Sequence, residues 1–264
     1  MHQSVTTIYG EPATIKSSLT LTWPTPIAFY DLEHGGHRAW GWAGMVESGQ
    51  VTVRTFDVPH KSMTQRYEKL SGYMKCWKDL TDSMESDLDK FATVVWDTGT
   101  VVWALDRDCM MEEIQQITPQ RKQLQQIEYG EPNRRMTELL NLAKAFRTHL
   151  VITHHEADEY VQLLDPLGKA ITDENNNPVS VTTGKKVPEG FKHTIGLSDW
   201  VLRTTMVSTG RGDTALTYPV ATVEKSAYGL HMLGKTIEWP SYDKLDQLAA
   251  QPIPNATPVG ASNG

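Results

Sequence analysis

Short apolar runs alternate along the chain with longer segments in which apolar residues recur every three or four positions. The runs are typical of strands buried on both faces, and the longer segments are typical of amphipathic helices. The predicted strands are 5–9, 26–30, 51–56, 91–96 and 150–153, and the predicted helices are 16–22, 61–90 and 133–149. This alternation predicts an α/β fold in which helices flank a mostly parallel central sheet and ligands bind at the carboxyl ends of the strands.

The pattern changes after residue 155. Residues 156–192 are polar and contain turn signals at 175–178, so we expect a β-hairpin or a loop there. Late strands are predicted at 199–205 and 220–224 and would add an antiparallel β extension to the sheet. Because the sequence is of low complexity from residue 251, we predict a core domain over 1–248 and a disordered tail over 249–264.

Composition excludes several classes of protein. The chain has 264 residues, of which 39% are hydrophobic and 22% are charged, so it is a globular protein of about one domain. Its apolar runs are too short to span a membrane, and it opens without the segments of a signal peptide, so we expect a cytoplasmic protein with no membrane partner. Its two cysteines, Cys76 and Cys109, are too few for a disulfide framework or a four-cysteine zinc site.

Residues 10–17 follow a predicted strand and open a predicted helix, as a phosphate-binding loop does. The pattern of such loops is G-x-x-x-x-G-K-[ST], and Gly10, Lys16 and Ser17 match it. Loop amides would hold phosphate groups, Lys16 would neutralise their charge and the Ser17 hydroxyl would bind Mg²⁺. The candidate nucleotide-binding residues are Gly10, Glu11, Pro12, Ala13, Thr14, Ile15, Lys16, Ser17 and Ser18.

Ile15 stands where the pattern has its second glycine. A β-branched residue would be strained there if the loop needs a positive φ, and an ordinary strand–turn–helix is the alternative interpretation. A phosphate loop also needs an acid on a neighbouring strand to position Mg²⁺, and Asp97 ends an apolar run as such an acid does. The alternative role for Asp97 is to cap a helix or stabilise a turn.

Further segments resemble RecA-type recombinases in their order and spacing. These are the Asp-Leu-Glu-His segment at 31–34, the strand ending in two histidines at 150–155, and the late strand with its lysine at 220–226. The set looks most like the short RecA-like ATPases of phages, the single-strand annealing recombinases of the Sak type. The opening Ile-Tyr-Gly-Glu-Pro, the Pro-Ile-Ala-Phe strand and the segment Leu-Ser-Asp-Trp-Val-Leu-Arg at 197–203 carry that closer likeness, which covers residues 5–240.

The resemblance assigns catalytic roles as expectations. Glu33 would be the general base for the attacking water, with Asp31 as its competitor on the same strand face. His155 would sense the γ-phosphate, and His154 is the alternative. Lys225 would reach the nucleotide of a neighbouring subunit, a role for which Arg203 and Arg211 compete.

The resemblance also implies that the chain forms a filament or ring on single-stranded DNA. Segments 107–135 and 156–192 would supply the DNA-binding loops, with Tyr129 or Tyr160 stacking on bases. The net charge of −7 confines any such contact to local patches. The candidate DNA-binding residues are Arg121, Lys122, Arg134, Arg135, Lys185 and Lys186.

The sequence thus predicts a P-loop ATPase that uses ATP and Mg²⁺ and acts on single-stranded DNA in phage recombination, in the cytoplasm of the host. A single-strand DNA-binding protein is a further candidate partner. Because of Ile15, an annealing protein with a degenerate nucleotide site is one alternative. A helicase or packaging motor and a nucleotide-responsive switch without a DNA role are the others.

Overall fold

A computed structural model describes residues 3–59, 69–174, 178–210 and 215–251. The strands of this part of the chain are β1 (Val5–Gly10), β2 (Ile27–Asp31), β3 (Val51–Thr55), β4 (Thr93–Asp97), β5 (His149–His154), β6 (Glu156–Gln162), β7 (Ser180–Pro188), β8 (Trp200–Thr209), β9 (Leu216–Ser226) and β10 (Thr236–Glu238). Its α-helices are α1 (Lys16–Thr20), α2 (Trp42–Glu47), α3 (Tyr73–Asp87), α4 (Gly99–Ile117), α5 (Gly130–Phe146), α6 (Thr194–Leu197) and α7 (Tyr242–Ala249).

Eight strands form one sheet in the order β10-β9-β8-β1-β5-β4-β2-β3. The strands from β8 to β3 are parallel to one another, whereas β9 is antiparallel to both of its neighbours. The predicted fold class, a P-loop α/β core with a mostly parallel sheet and a late antiparallel extension, is confirmed. β1 lies between β5 and β8, so the loop that follows it is in the middle of the sheet edge.

Each face of the sheet is covered by helices, because the parallel strands are apolar on both sides. On one face, side chains of α3, α4 and α5 pack against Tyr30, Trp96 and Ile152. On the other, side chains of α1, α2 and α7 pack against Phe29 and Leu202. Since β1, β2, β4 and β5 are buried along their whole length, chemistry is confined to their carboxyl ends.

Several predicted boundaries differ from the structure. The predicted helix at 61–90 is observed from Tyr73 to Asp87, and its part at 61–68 lies outside the described residues. The predicted helix at 133–149 begins earlier, at Gly130, and ends at Phe146 because Arg147 has a positive φ. Segment 107–135 is mostly helical, because α4 occupies its first part and α5 its last. The predicted loop is limited to the connection at 118–129, and its contact with DNA stays a prediction.

The hairpin predicted within 156–192 is present. β6 and β7 pair antiparallel in a separate two-stranded sheet, which we call the β-arm (residues 156–188 without 175–177). At the other end of the chain, α7 continues to Ala249, one residue into the predicted tail, and residues 252–264 lie outside the described part. None of the helices in the described ranges is long and apolar enough to cross a membrane.

Candidate functional site

The loop after β1 wraps around an ammonium group. Gly10 has a φ of +151°, and a Cβ at this position would lie 2.2 Å from the carbonyl oxygen of Thr204, so only glycine fits. Lys16 Nζ donates to the carbonyl oxygens of Gly10 at 2.9 Å and Glu11 at 2.8 Å. Burial lowers the pKa of Lys16. The loop thus holds a half-buried cation at its centre.

Ile15 has the left-handed conformation that the missing glycine would adopt, with φ 63° and ψ 16°. Ala13 in the same loop has a φ of 61°. A left-handed conformation costs a residue with a Cβ roughly 1–2 kcal/mol. The Ile15 side chain packs against the apolar cluster beneath the loop, which offsets part of that cost. The loop therefore keeps the expected backbone at Ile15 under strain.

Ser17 and Asp97 meet across the end of the sheet. Ser17 Oγ donates to Asp97 Oδ2 at 2.8 Å, and Thr153 Oγ1 on β5 donates to Asp97 Oδ1 at 2.5 Å. Burial raises the pKa of Asp97, although these two hydrogen bonds oppose the change. The N-cap of α4 is Thr98, whose hydroxyl accepts from Val101 N. Asp97 therefore does not cap the helix, and its carboxylate faces the phosphate loop.

The two acids after β2 do different things. Asp31 accepts hydrogen bonds from the backbone N–H groups of Gly35 at 2.9 Å and Gly36 at 3.1 Å, so it stabilises the following turn. Glu33 instead contacts His155, with 2.9 Å between Glu33 Oε1 and His155 Nε2. Thr98 Oγ1 donates to the same oxygen at 3.3 Å. The hydrogen bond between Glu33 and His155 lowers the pKa of Glu33 and raises the pKa of His155.

The two histidines after β5 also separate. His154 is buried, and its Nδ1 lies 2.8 Å from the carbonyl oxygen of Glu189, at the return of the β-arm. Burial lowers the pKa of His154 to about 4, so its ring is neutral. His155 points to Glu33 on one side, and its Nδ1 lies 3.6 Å from Glu189 Oε2 on the other. His155 is therefore the histidine that the site exposes.

These residues line one cavity of about 540 Å³, within the usual size range of ligand pockets. Its walls include the predicted residues Pro12, Ala13, Thr14, Ile15, Lys16, Ser17, Ser18, Glu33, Asp97 and His155. Sequence reasoning missed Arg38, Trp40 and Thr98, which line it too. The glycine-rich, aromatic segment after Glu33 was a signal for the first two, since it follows a strand that ends at the site.

Trp40 forms an exposed wall beside the phosphate loop. Its backbone N–H donates to Ser18 Oγ at 3.0 Å, which ties it to the start of α1. The indole is 58% exposed, and its ring centroid lies 6.1 Å from that of Trp239. An exposed indole at the rim of a polar pocket offers a flat surface on which a ring can stack.

Lys225 does not join this cavity. Lys225 on β9 is paired with Val201 on β8, which is paired with Thr7 on β1. It is therefore level with a position three residues before the carboxyl end of β1. Its Nζ donates to the carbonyl oxygens of Ile195 and Gly196, both at 2.7 Å. Of its competitors, Arg203 is bound to Glu156, and Arg211 lies outside the described residues.

Most of the candidate DNA-binding residues form ion pairs within the chain. Arg121 contacts Glu128, Arg134 contacts Glu131 and Glu138, Arg135 contacts Glu113 and Glu131, and Lys186 contacts Asp158. Lys185 is exposed on β7 of the β-arm. Arg121 and Lys122 follow α4, a 19-residue helix about 28 Å long. The structure therefore does not gather the six residues into one patch.

The residues of the cavity fit a nucleotide with its metal ion. Mg²⁺ prefers oxygen ligands such as hydroxyl and carboxylate groups. Ser17 provides a hydroxyl and Asp97 a carboxylate, and the two lie within hydrogen-bond distance of each other. Lys16 provides the cation that a phosphate chain needs, within the loop that lines the cavity. A P-loop fold of this kind implies nucleotide binding.

Comparisons with known proteins identify the family of the chain. A family model described as an AAA domain, AAA_24, matches residues 2–225. The KaiC-like protein PH0186 from the hyperthermophilic archaeon Pyrococcus horikoshii OT3 is similar in structure, with 8% identity, 90% of this chain and 85% of that chain covered, and a TM-score of 0.46. The flagellar accessory protein FlaH from Methanocaldococcus jannaschii has 13% identity over the same shares and a TM-score of 0.44. No curated protein matches the chain in sequence. Since the family model covers most of its length, the chain belongs to the AAA_24 family of AAA domains.

Proposed function

We propose that this protein binds ATP with Mg²⁺ and hydrolyses it, and that it acts on single-stranded DNA in phage recombination. The observation that carries the ATPase part is the convergence of Lys16, the Ser17–Asp97 pair and Glu33 on one cavity. Phosphoryl transfer needs little else from a protein, because its catalysis is mostly positioning and charge stabilisation.

Each residue of the phosphate subsite has a separate task. Lys16 neutralises charge on the phosphate chain, and the loop amides hold its oxygens. Ser17 and Asp97 would hold Mg²⁺, which neutralises further charge on the phosphates when it is bound. Hydrogen bonds from the hydroxyl groups of Ser17 and Thr153 hold the Asp97 carboxylate, so it is oriented before any ligand arrives.

Glu33 is placed to take a proton from water. Both of its hydrogen bonds, from His155 and Thr98, use Oε1, and Oε2 has no partner among the described residues. Oε2 can therefore accept the proton of an attacking water while Oε1 keeps the carboxylate oriented. The lowered pKa of Glu33 keeps it ionised for this task.

Trp40 is the proposed surface for the nucleobase. It borders the same cavity next to Ser18, at the opposite end of the loop from Gly10. Stacking of a base on an aromatic side chain contributes roughly 1–3 kcal/mol. This arrangement would hold both ends of the nucleotide.

The DNA part of the proposal rests on the resemblance and on the β-arm. The arm begins directly after His155 and returns at Glu189, which contacts both histidines, so a ligand on the arm would act close to Glu33. Tyr160 is 64% exposed on it and could stack on a base. Because residues 156–188 contain six acidic and three basic residues, contact with DNA phosphates would be confined to the Lys185 end.

The assembly that we propose is a homo-oligomer, a filament or a ring, with Lys225 acting on the neighbouring subunit. Its Nζ would have to leave the carbonyl oxygens of Ile195 and Gly196 for that role. Burial lowers the pKa of Lys225 within a single chain. A single-strand DNA-binding protein is the further partner proposed.

A second candidate function is favoured by Ile15. A strained phosphate loop would bind nucleotide weakly, and the chain would then anneal DNA with little turnover. This candidate shares the fold and the DNA ligand with the first, so only turnover separates them.

The test is ATP hydrolysis with and without single-stranded DNA. It compares the wild type, Lys16→Ala and a control, Lys78→Ala, in which an exposed lysine on α3 is removed. We expect hydrolysis that DNA stimulates, that Lys16→Ala abolishes and that Lys78→Ala leaves unchanged.

The other outcomes each point to a different function. DNA binding without hydrolysis in any variant identifies the annealing protein. Translocation or unwinding on duplex DNA identifies a motor. Hydrolysis that DNA never stimulates identifies a nucleotide switch without a DNA role.

A further inference from the structure

We infer that Arg38 binds the phosphate groups of the nucleotide from within the same subunit. The inference rests on the proposed nucleotide site and adds a second cation to it. The cavity that Lys16 and Glu33 line is also lined by Arg38, together with the nearby Trp40.

The backbone that carries Arg38 is held in place. A short 3₁₀ turn, Gly36–Arg38, follows β2, and its start is fixed by the hydrogen bonds from Gly35 and Gly36 to Asp31. Gly36 is packed so tightly that a Cβ would lie 2.7 Å from the ring of Trp42. Asp31 therefore acts as a positioning residue for Arg38, because it holds the start of the turn that carries Arg38.

The guanidinium group folds back over the turn. A Cβ at Gly35 would lie 2.7 Å from Arg38 Nη2, so the absence of a side chain at Gly35 leaves the space that the group occupies. Gly35 itself has a φ of −106°, which other residues adopt freely. Gly35 therefore makes room for the guanidinium group of Arg38, whereas its backbone conformation does not require glycine.

The guanidinium group of Arg38 has no hydrogen-bond or ion-pair partner among the residues described, whereas other basic residues at or near the site each have one. Lys16 donates to two carbonyl groups, Arg203 is paired with Glu156, and Lys186 is paired with Asp158. An arginine offers two parallel N–H donors, a geometry that matches phosphate oxygens. A ligand with several negative charges in the cavity would supply the partner that the chain does not.

With this assignment, the positive charge that stabilises the phosphate groups comes from Arg38 of the same subunit and not only from a neighbouring subunit. Lys225, the cation expected from a neighbouring subunit, is bound to the carbonyl groups of Ile195 and Gly196 and does not line the cavity of its own chain. Arg38 can neutralise phosphate charge without any neighbour. Nucleotide binding would then not depend on assembly.

The test uses four variants of the full chain. Arg38→Ala removes the guanidinium, and Arg38→Lys keeps its charge without the paired donors. Gly35→Ala keeps Arg38 but adds a methyl group where Nη2 lies, so it displaces the guanidinium. His37→Ala is the control, because His37 is exposed on the same turn and does not line the cavity.

The measurements are the affinity for a fluorescent ATP analogue and the rate of hydrolysis. We expect Arg38→Ala to weaken binding by roughly tenfold to a hundredfold, as the loss of a hydrogen bond to a charged group does. Gly35→Ala should weaken it less, Arg38→Lys should restore part of it, and His37→Ala should bind as the wild type does. Thermal unfolding of each variant should stay within a few degrees of the wild type, which excludes misfolding.

A mixing experiment separates the two possible origins of the charge. Arg38→Ala is mixed with Lys16→Ala, so that each keeps what the other lacks. If Arg38 acts within its own subunit, no site in the mixture is complete and activity stays low. Recovery of activity would place Arg38 on a neighbouring site and overturn the inference.

The outcomes also distinguish this inference from the function on which it rests. If the wild type binds the analogue and Lys16→Ala does not, but Arg38→Ala equals His37→Ala, the role of Arg38 is refuted and the nucleotide site stands. If the wild type itself does not bind, the proposed function has failed.

Discussion

Ile15 and Ala13 hold left-handed backbone conformations within one short loop. Both carry a Cβ, so each raises the free energy of the folded loop. They differ in what their side chains do, because Ile15 packs against the apolar cluster below whereas Ala13 is exposed. The pair therefore allows the strain to be separated from the packing.

We predict that Ile15→Gly raises the affinity for ATP, because glycine adopts the required φ without strain. Its stability should change little, since lost packing offsets the relieved strain. Ala13→Gly is the matched variant and should stabilise the protein by about 1 kcal/mol, as it relieves strain without loss of packing. Titration with a fluorescent analogue and thermal unfolding measure both effects. Unchanged affinity in both variants would show that the left-handed residues are not a defect.

The contact between His155 and Glu33 predicts how hydrolysis depends on pH. The active form needs an ionised Glu33, and the hydrogen bond from His155 lowers the pKa of that carboxyl. Activity should therefore persist to a lower pH than an ordinary glutamate would allow. In His155→Ala the pKa of Glu33 rises towards its usual range, so we expect the acid side of the kcat/KM profile to move to higher pH.

The control for this profile is Glu33→Gln. Because it removes the base itself, hydrolysis should fall by about 10²–10⁴-fold at every pH while nucleotide binding is retained. If the acid side of the profile does not move in His155→Ala, it reports the ionisation of a group other than Glu33.

At the scale of elements, α4 and α5 are joined by a buried charged cluster. Asp106 on α4 is fully buried, and its Oδ1 lies 3.6 Å from Arg135 Nη1 on α5. Arg135 also contacts Glu113 and Glu131. Burial outweighs the attraction of Arg135 and raises the pKa of Asp106 from 3.8 to about 8.

This shift predicts that stability falls as pH rises. The folded state binds the Asp106 proton more tightly than the unfolded state, so its contribution is complete below the unfolded pKa and is lost as pH rises towards the folded pKa, about 8. We expect the midpoint of thermal unfolding to drop by several degrees from about pH 6 to about pH 9, at roughly 2–4 °C per kcal/mol. Asp106→Asn should flatten this dependence.

The matched control is Glu138→Gln, which removes an exposed carboxylate from α5. It should leave the dependence on pH as in the wild type. Equal slopes for Asp106→Asn and the wild type would assign the effect to a different group.

α4 also shows where sequence patterns fail. Its buried residues, which include Val102, Asp106, Met111 and Gln115, mix polar with apolar side chains. A helix that buries polar groups has no clean apolar stripe, so periodicity does not reveal it. The strands were easier to predict, because burial on both faces gives continuous apolar runs.

For the whole molecule, the sequence was sufficient for the sheet and for the residues that short motifs mark. Lys16, Ser17 and Asp97 were singled out from local patterns, and Glu33 and His155 from the family resemblance. The structure brings all five to one cavity. Arg38 and Trp40 were not singled out, because their place depends on how Asp31 folds the next turn. Their roles and that of Lys225 stay predictions.

The position of β1 has a consequence for synthesis of the chain. β1 is made before its neighbours in the sheet, β5 and β8, which begin at His149 and Trp200. Because a chain leaves the ribosome from its amino end, the phosphate loop emerges long before the strands that flank it. The loop would also lack Thr204, against which Gly10 packs, until β8 is made. A nascent chain would thus become able to recognise its ligand only after β8 is made, and fragments that stop before β8 would stay inert.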